Sequence, residues 1–92
     1  MEITVSELER LSPDSYILYD TRSEQEKLYG VMEGAVSVSA DELLAAPPED
    51  KTQKLIVCCA RGKFSVDTAE QLSEMGYDSY SLSGGYAAWL IA

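Results

Sequence analysis

The feature that most constrains this chain is one unit, Leu55 to Leu72, in which a short apolar run passes through a tight loop into an amphipathic helix. Leu55-Ile-Val-Cys58 is β-branched and uninterrupted by charge, the pattern of a strand buried on both faces. Ser65 to Met75 reads as a helix. Val66, Ala69, Leu72 and Met75 form its apolar stripe, Ser65 is its expected N-cap, and Gly76 its C-terminal stop. The loop between them is Cys59-Ala-Arg-Gly-Lys-Phe64. A cysteine at the carboxyl end of a buried strand and facing a helix N-terminus stands where open parallel sheets bind ligands. Free N–H groups and the positive end of the helix dipole stabilise an anion there, so a thiol in that place ionises more readily than usual.

The rest of the chain repeats the alternation. Strands are expected at Ile3 to Val5, Tyr16 to Tyr19, Ala35 to Val38 and Asp78 to Leu82, with the cysteine strand fourth in order. Short helices are expected after Ser6-Glu-Leu-Glu9, Ser23-Glu-Gln-Glu26 and Ser39-Ala-Asp-Glu42, each with the Ser-x-x-Glu spacing of a capping box. A last helix is expected from Gly85 to Ile91, after a tight turn at Gly84 and Gly85. Alternating strands and helices call for an α/β domain with a mainly parallel sheet, helices on both faces and right-handed crossovers. The chain has 92 residues, shows no linker or repeat, and is read as one domain, 1–92. It is equally compatible with being one module of a longer protein.

Charge narrows the partners. Sixteen acidic and seven basic residues leave a net charge of -9, which disfavours nucleic acid and anionic membranes. No apolar run approaches the roughly 20 residues that span a bilayer, and the acidic N-terminus lacks a secretory layout, so a cytoplasmic protein is expected. Nothing in the sequence calls for an oligomer, and a monomer is expected. Two of the seven bases, Arg61 and Lys63, fall in the cysteine loop and suggest a local anion site on an acidic body.

The cysteines are adjacent, Cys58 and Cys59. Neighbouring strand residues point to opposite faces, so Cys58 is expected in the packing and Cys59 in the loop. With no histidine and no C-x-x-C pair, neither a zinc site nor Cys–His catalysis is expected, and no cofactor is called for. Main-chain amides and nearby cations are left to activate the thiol.

Cys59-Ala-Arg-Gly62 with Ser65 beyond it resembles the active-site loop of rhodanese-like sulfurtransferases. Asp20-Thr-Arg22 with Glu26, Gly30-Val-Met-Glu-Gly-Ala-Val36, and Leu82-Ser-Gly-Gly-Tyr-Ala-Ala-Trp89 are similar to three further motifs of that family, in the family's order. The resemblance implies a three-layer rhodanese-like domain whose five-stranded sheet runs in the order 3-2-4-5-1, with the cysteine strand central. It implies sulfur transfer from a small anionic donor or a protein persulfide through a Cys59 persulfide. Ala60, Arg61, Gly62, Lys63, Phe64 and Ser65 would form the anion-binding loop, and Asp20 and Arg22 would brace it. Many loops of the family carry a base where this chain has Phe64, which makes the rim more apolar and suits a bulkier donor. Two alternatives accompany this reading. A phosphatase or arsenate reductase needs an arginine six positions after the cysteine, where this chain has Ser65. A binding or regulatory module would keep the fold without the chemistry.

Overall fold

The computed structural model describes residues 1–92. Its strands are β1 (Glu2–Ile3), β2 (Tyr16–Asp20), β3 (Val36–Ser37), β4 (Lys54–Cys58) and β5 (Ser79–Leu82). Its helices are α1 (Val5–Glu9), α2 (Glu24–Lys27), α3 (Ala40–Ala45), α4 (Phe64–Glu74) and α5 (Gly85–Leu90). Every strand pairing is parallel, and the order is β1-β5-β4-β2-β3, the expected one read from the other edge. No helix is long and apolar enough to cross a membrane.

β4 is central and its alternation sorts the core. Leu55 and Val57 face one side with Tyr19, Leu43, Ala69, Leu72 and Tyr77, which brings α3 and α4 onto that face. Ile56 and Cys58 face the other with Ile3, Val5, Leu8, Leu18, Met32, Leu82 and Tyr86, which is covered by α1 and α5. The four β4 residues from Leu55 to Cys58 have no exposed surface, as a strand between two helix layers requires.

Capping follows local chemistry. Ser23 and Ser39 cap α2 and α3 in reciprocal boxes with Glu26 and Glu42, as their spacing predicts. The first box is displaced. Thr4, not Ser6, caps α1, and Glu7 returns the bond to the Thr4 amide at 2.9 Å. Starting the helix at Val5 puts Val5 and Leu8 on its buried face, and that burial outweighs the competing Ser6–Glu9 spacing. β1 and β3 shrink to two residues each, because edge strands gain ladder bonds on one side only. On α4, Ala69 and Leu72 are buried as expected, while Val66 and Met75 are exposed at the flanks of the stripe.

Candidate active site around Cys59

The Cys59 loop is held from behind by three consecutive carbonyls. That of Cys58 accepts from the amide and the hydroxyl of Thr21, both at 2.9 Å. That of Cys59 accepts from the Tyr86 amide at 2.9 Å, and that of Ala60 from the Ala87 amide at 3.1 Å. The β2–α2 connection and the first turn of α5 therefore grip the back of the loop, and its amides turn inward.

Those amides converge on sulfur. Cys59 Sγ accepts from the Gly62 amide at 3.1 Å and the Ser65 amide at 3.4 Å, and lies 3.3 Å from Ser65 Oγ. Gly62 is at φ +81°, the left-handed conformation a glycine adopts without strain. A Cβ there would lie 2.8 Å from the Gly84 nitrogen, so the loop and the Gly84-Gly85 turn fit together only because both are glycine. Cys59 itself is 5% exposed, buried enough to be shielded from bulk water.

Ser65 departs from its expected place. α4 begins one residue earlier, at Phe64, and its N-cap position is Lys63, whose side chain makes no capping bond. Ser65 sits in the first turn, fully buried, and its hydroxyl turns to Cys59 Sγ and, at 2.6 Å, to Ser81 Oγ. The sulfur takes the acceptor role that a capping side chain usually plays.

The two thiols are driven in opposite directions. Burial alone would raise the Cys59 pKa. The Ser65 hydroxyl and the amides of Ser65, Phe64 and Arg61 outweigh it and hold the thiol below its ordinary value. Cys58 has no such cup. Its pKa is pushed up to about 12, first by burial and then by the Asp20 carboxylate. It packs in the apolar layer and its Sγ lies 3.2 Å from the Cys59 carbonyl oxygen.

Asp20 and Arg22 lie beside this frame, not in the cup. Arg22 forks onto the Asp20 carboxylate, with Nη2–Oδ2 at 2.7 Å and Nε–Oδ1 at 3.0 Å, both residues being buried. Burial opposes the Asp20 charge, but the Arg22 bonds win and keep its pKa low. Arg22 also donates to the Gly30 carbonyl at 2.8 Å and lies over the Tyr86 ring. Arg61 and Lys63 are exposed, their side chains make no ion pair or hydrogen bond to another group, and neither side chain contributes to lowering the Cys59 pKa, which Arg61 does through its amide alone. The groups that lower the Cys59 pKa are therefore main-chain amides and a hydroxyl. No group of three potential metal-ligating side chains occurs. Phe64 stands 78% exposed at the rim. A surface groove of about 590 Å³ borders the Ala60 end of the loop, between Tyr86 and the exposed Leu28 and Tyr29.

Three residues of this frame, Thr21, Tyr86 and Ser81, stand outside the sequence-based site. Tyr86 lies within a quoted motif but acts through its amide, which side-chain type does not betray. Ser81 left a signal: Ser79 and Ser81 alternate on β5 at positions where a buried strand face usually carries apolar residues.

The family model of the rhodanese-like domain matches residues 4–92. The chain belongs to the rhodanese-like domain family. A curated relative of this rhodanese-like chain, the thiosulfate sulfurtransferase GlpE of Shewanella oneidensis, is 36% identical over 62 residues. That match takes in 65% of this chain and spans 61% of the relative's length. A rhodanese-like domain protein from Staphylococcus aureus superposes with a TM-score of 0.83 at 26% identity, covering 97% of this chain and 91% of its own. The human single-domain sulfurtransferase TSTD1 superposes at 0.84 with 23% identity, covering 98% and 95%, a likeness of fold.

Proposed function

We propose that this rhodanese-like domain is a sulfurtransferase that carries sulfane sulfur on Cys59. The observation that carries the proposal is the cup itself: one sulfur, two main-chain amides and a buried hydroxyl, all within 3.4 Å. The naming of a similar protein as a thiosulfate sulfurtransferase supports the same chemistry.

In the first step the Cys59 thiolate attacks the outer sulfur of the donor. A new S–S bond forms, the donor's own S–S bond breaks, and its electron pair leaves with the second fragment, sulfite in the case of thiosulfate. Cys59 then carries a persulfide. In the second step a thiophilic acceptor attacks the outer persulfide sulfur, and the electron pair of the broken bond returns to Cys59 as thiolate. Sulfur moves in oxidation-balanced steps, and no proton must be taken from the nucleophile once it is ionised. The amides of the loop stabilise negative charge on sulfur before and after each transfer, which is preorganised electrostatic catalysis. Arg61 and Lys63, free at the rim, are assigned to the approaching anion, as a planar fork and a point charge respectively. A phosphatase mechanism lacks its clamp, because the residue six positions after Cys59 is Ser65.

Incubation with thiosulfate followed by intact mass measurement tests the proposal. Wild type is expected to gain one sulfur, released by cyanide, and Cys59→Ser none. Absence of the adduct on wild type, with a partner protein co-purifying instead, would favour a binding module. Turnover of p-nitrophenyl phosphate would favour the phosphatase.

A further inference from the structure

The Ser65 hydroxyl at the sulfur does not stand alone. It lies 2.6 Å from the hydroxyl of Ser81, on the adjacent β5 strand, and both side chains are wholly buried. Ser81 Oγ has no other hydrogen-bond partner. Cys59 Sγ, Ser65 Oγ and Ser81 Oγ thus form a linear chain of three polar atoms that ends inside the protein.

Such a chain has a direction, because each hydroxyl holds one proton. With Cys59 ionised, Ser65 donates to the sulfur and Ser81 donates to Ser65, so every proton has an acceptor. With Cys59 protonated and donating to Ser65, whichever way the Ser65–Ser81 bond points, one of the two hydroxyl protons is left without an acceptor in a dry interior. The remaining arrangement keeps Ser65 aimed at a neutral thiol, a weak acceptor, and forfeits the stronger bond to a charge. Either protonated state is worse served than the thiolate.

We propose that Ser81 is a positioning residue that polarises the Ser65 hydroxyl toward Cys59 and thereby biases the site to the thiolate. The inference deepens the sulfur-transfer reading and rests on Cys59 being the attacking group. The other titratable or charged groups around the sulfur are Cys58 on β4, Asp20 and Arg22 at the end of β2, Tyr86 on α5, Asp67 in the first turn of α4, and Arg61 and Lys63 in the loop. None is hydrogen-bonded to Sγ through its side chain, so the hydroxyl chain is the one side-chain path to it.

The rate of iodoacetamide alkylation of Cys59 against pH tests this. In Ser81→Ala the midpoint rises, so that alkylation near pH 6 slows by about three- to tenfold while the plateau at high pH is unchanged. Ser81→Thr, which keeps the hydroxyl, returns the midpoint toward wild type. In a Ser65→Ala background the Ser81→Ala change has no further effect, since its path is already cut. A Ser81→Ala midpoint equal to wild type overturns the proposal, as does an undiminished shift in the Ser65→Ala background. In the wild type, free of any folding effect of substitution, the Ser81 Cβ resonance follows the Cys59 titration; a flat Ser81 resonance also overturns it. Alkylation reads the thiolate whether or not sulfur is transferred, so failure of the relay and failure of the persulfide reading are distinguishable.

Discussion

The guanidinium of Arg22 lies 3.7 Å from the centroid of the Tyr86 ring. Through that stack the Asp20–Arg22 pair reaches the cysteine loop, because the Tyr86 amide holds the Cys59 carbonyl. A planar cation both stacks and forks, which an ammonium does not do. Arg22→Leu is therefore expected to cost about 3–5 kcal/mol, the usual result of leaving one member of a buried pair alone. Arg22→Lys is expected to recover little of it, as urea unfolding would report. The loss depends on pH. The folded Asp20 pKa lies below its ordinary value of 3.8, so its contribution is complete above that value and disappears as pH falls through the lower, folded one. The stability gap between wild type and Arg22→Leu should narrow in that acidic window; a gap constant with pH would assign the effect to packing alone.

Gly85 makes a second, steric prediction. It has φ +57°, and a Cβ on it would run into the Cys59 carbonyl oxygen. Gly85→Ala is expected to displace that carbonyl, lowering stability by more than about 2 kcal/mol and slowing Cys59 alkylation. Gly34→Ala is the control. Gly34 has φ +82° with open space around it, so only left-handed strain of about 1 kcal/mol is expected, with no change at the thiol.

Much of this frame was legible because its devices are local. The charge-free run at Leu55 announces a central strand, and Ser23–Glu26 and Ser39–Glu42 announce their helices within four residues. Ser65 shows where locality ends. By composition it is a capping residue, and only the distance from β5 to α4 turns its hydroxyl to sulfur instead. Thr4 displaced Ser6 for a similar reason, since two capping boxes competed and burial of Val5 and Leu8 decided between them. The bases at 61 and 63 were visible as charge near a thiol, but which groups lower its pKa is a matter of angstroms.

The two adjacent cysteines should behave as different reagents. Cys59, held below the ordinary thiol value of 9.0, is expected to be the residue alkylated in the native protein near neutral pH. Cys58, raised to about 12, is expected to stay unlabelled until denaturant exposes it. Because the folded Cys59 pKa is depressed, its thiolate stabilises the fold as pH rises through that value, and the contribution is lost on acidification below it. Mass spectrometry after brief iodoacetamide treatment, with and without urea, checks the assignment. Native labelling abolished by Cys58→Ser but not by Cys59→Ser would reverse it.

Phe64 offers the test of donor preference. It opens α4 at the mouth of the cup with most of its side chain in solvent, where a base would meet an arriving dianion. Phe64→Arg places a third cation beside Arg61 and Lys63. An exposed charge contributes about 0.5–1 kcal/mol, so the KM for thiosulfate is expected to fall by about two- to fivefold in low salt. The gain should fade as ionic strength shortens the reach of the charge to about 8 Å. kcat should change little, since the new side chain binds the donor's anionic group and not the sulfur in flight. A persulfide on an uncharged organic thiol, whose only charge is on the sulfur to be transferred, should gain less and lose contact with the phenyl ring. Steady-state kinetics with both donors on the same two proteins would show the crossing of preference; parallel changes for both would mean that residue 64 acts through the conformation of the loop.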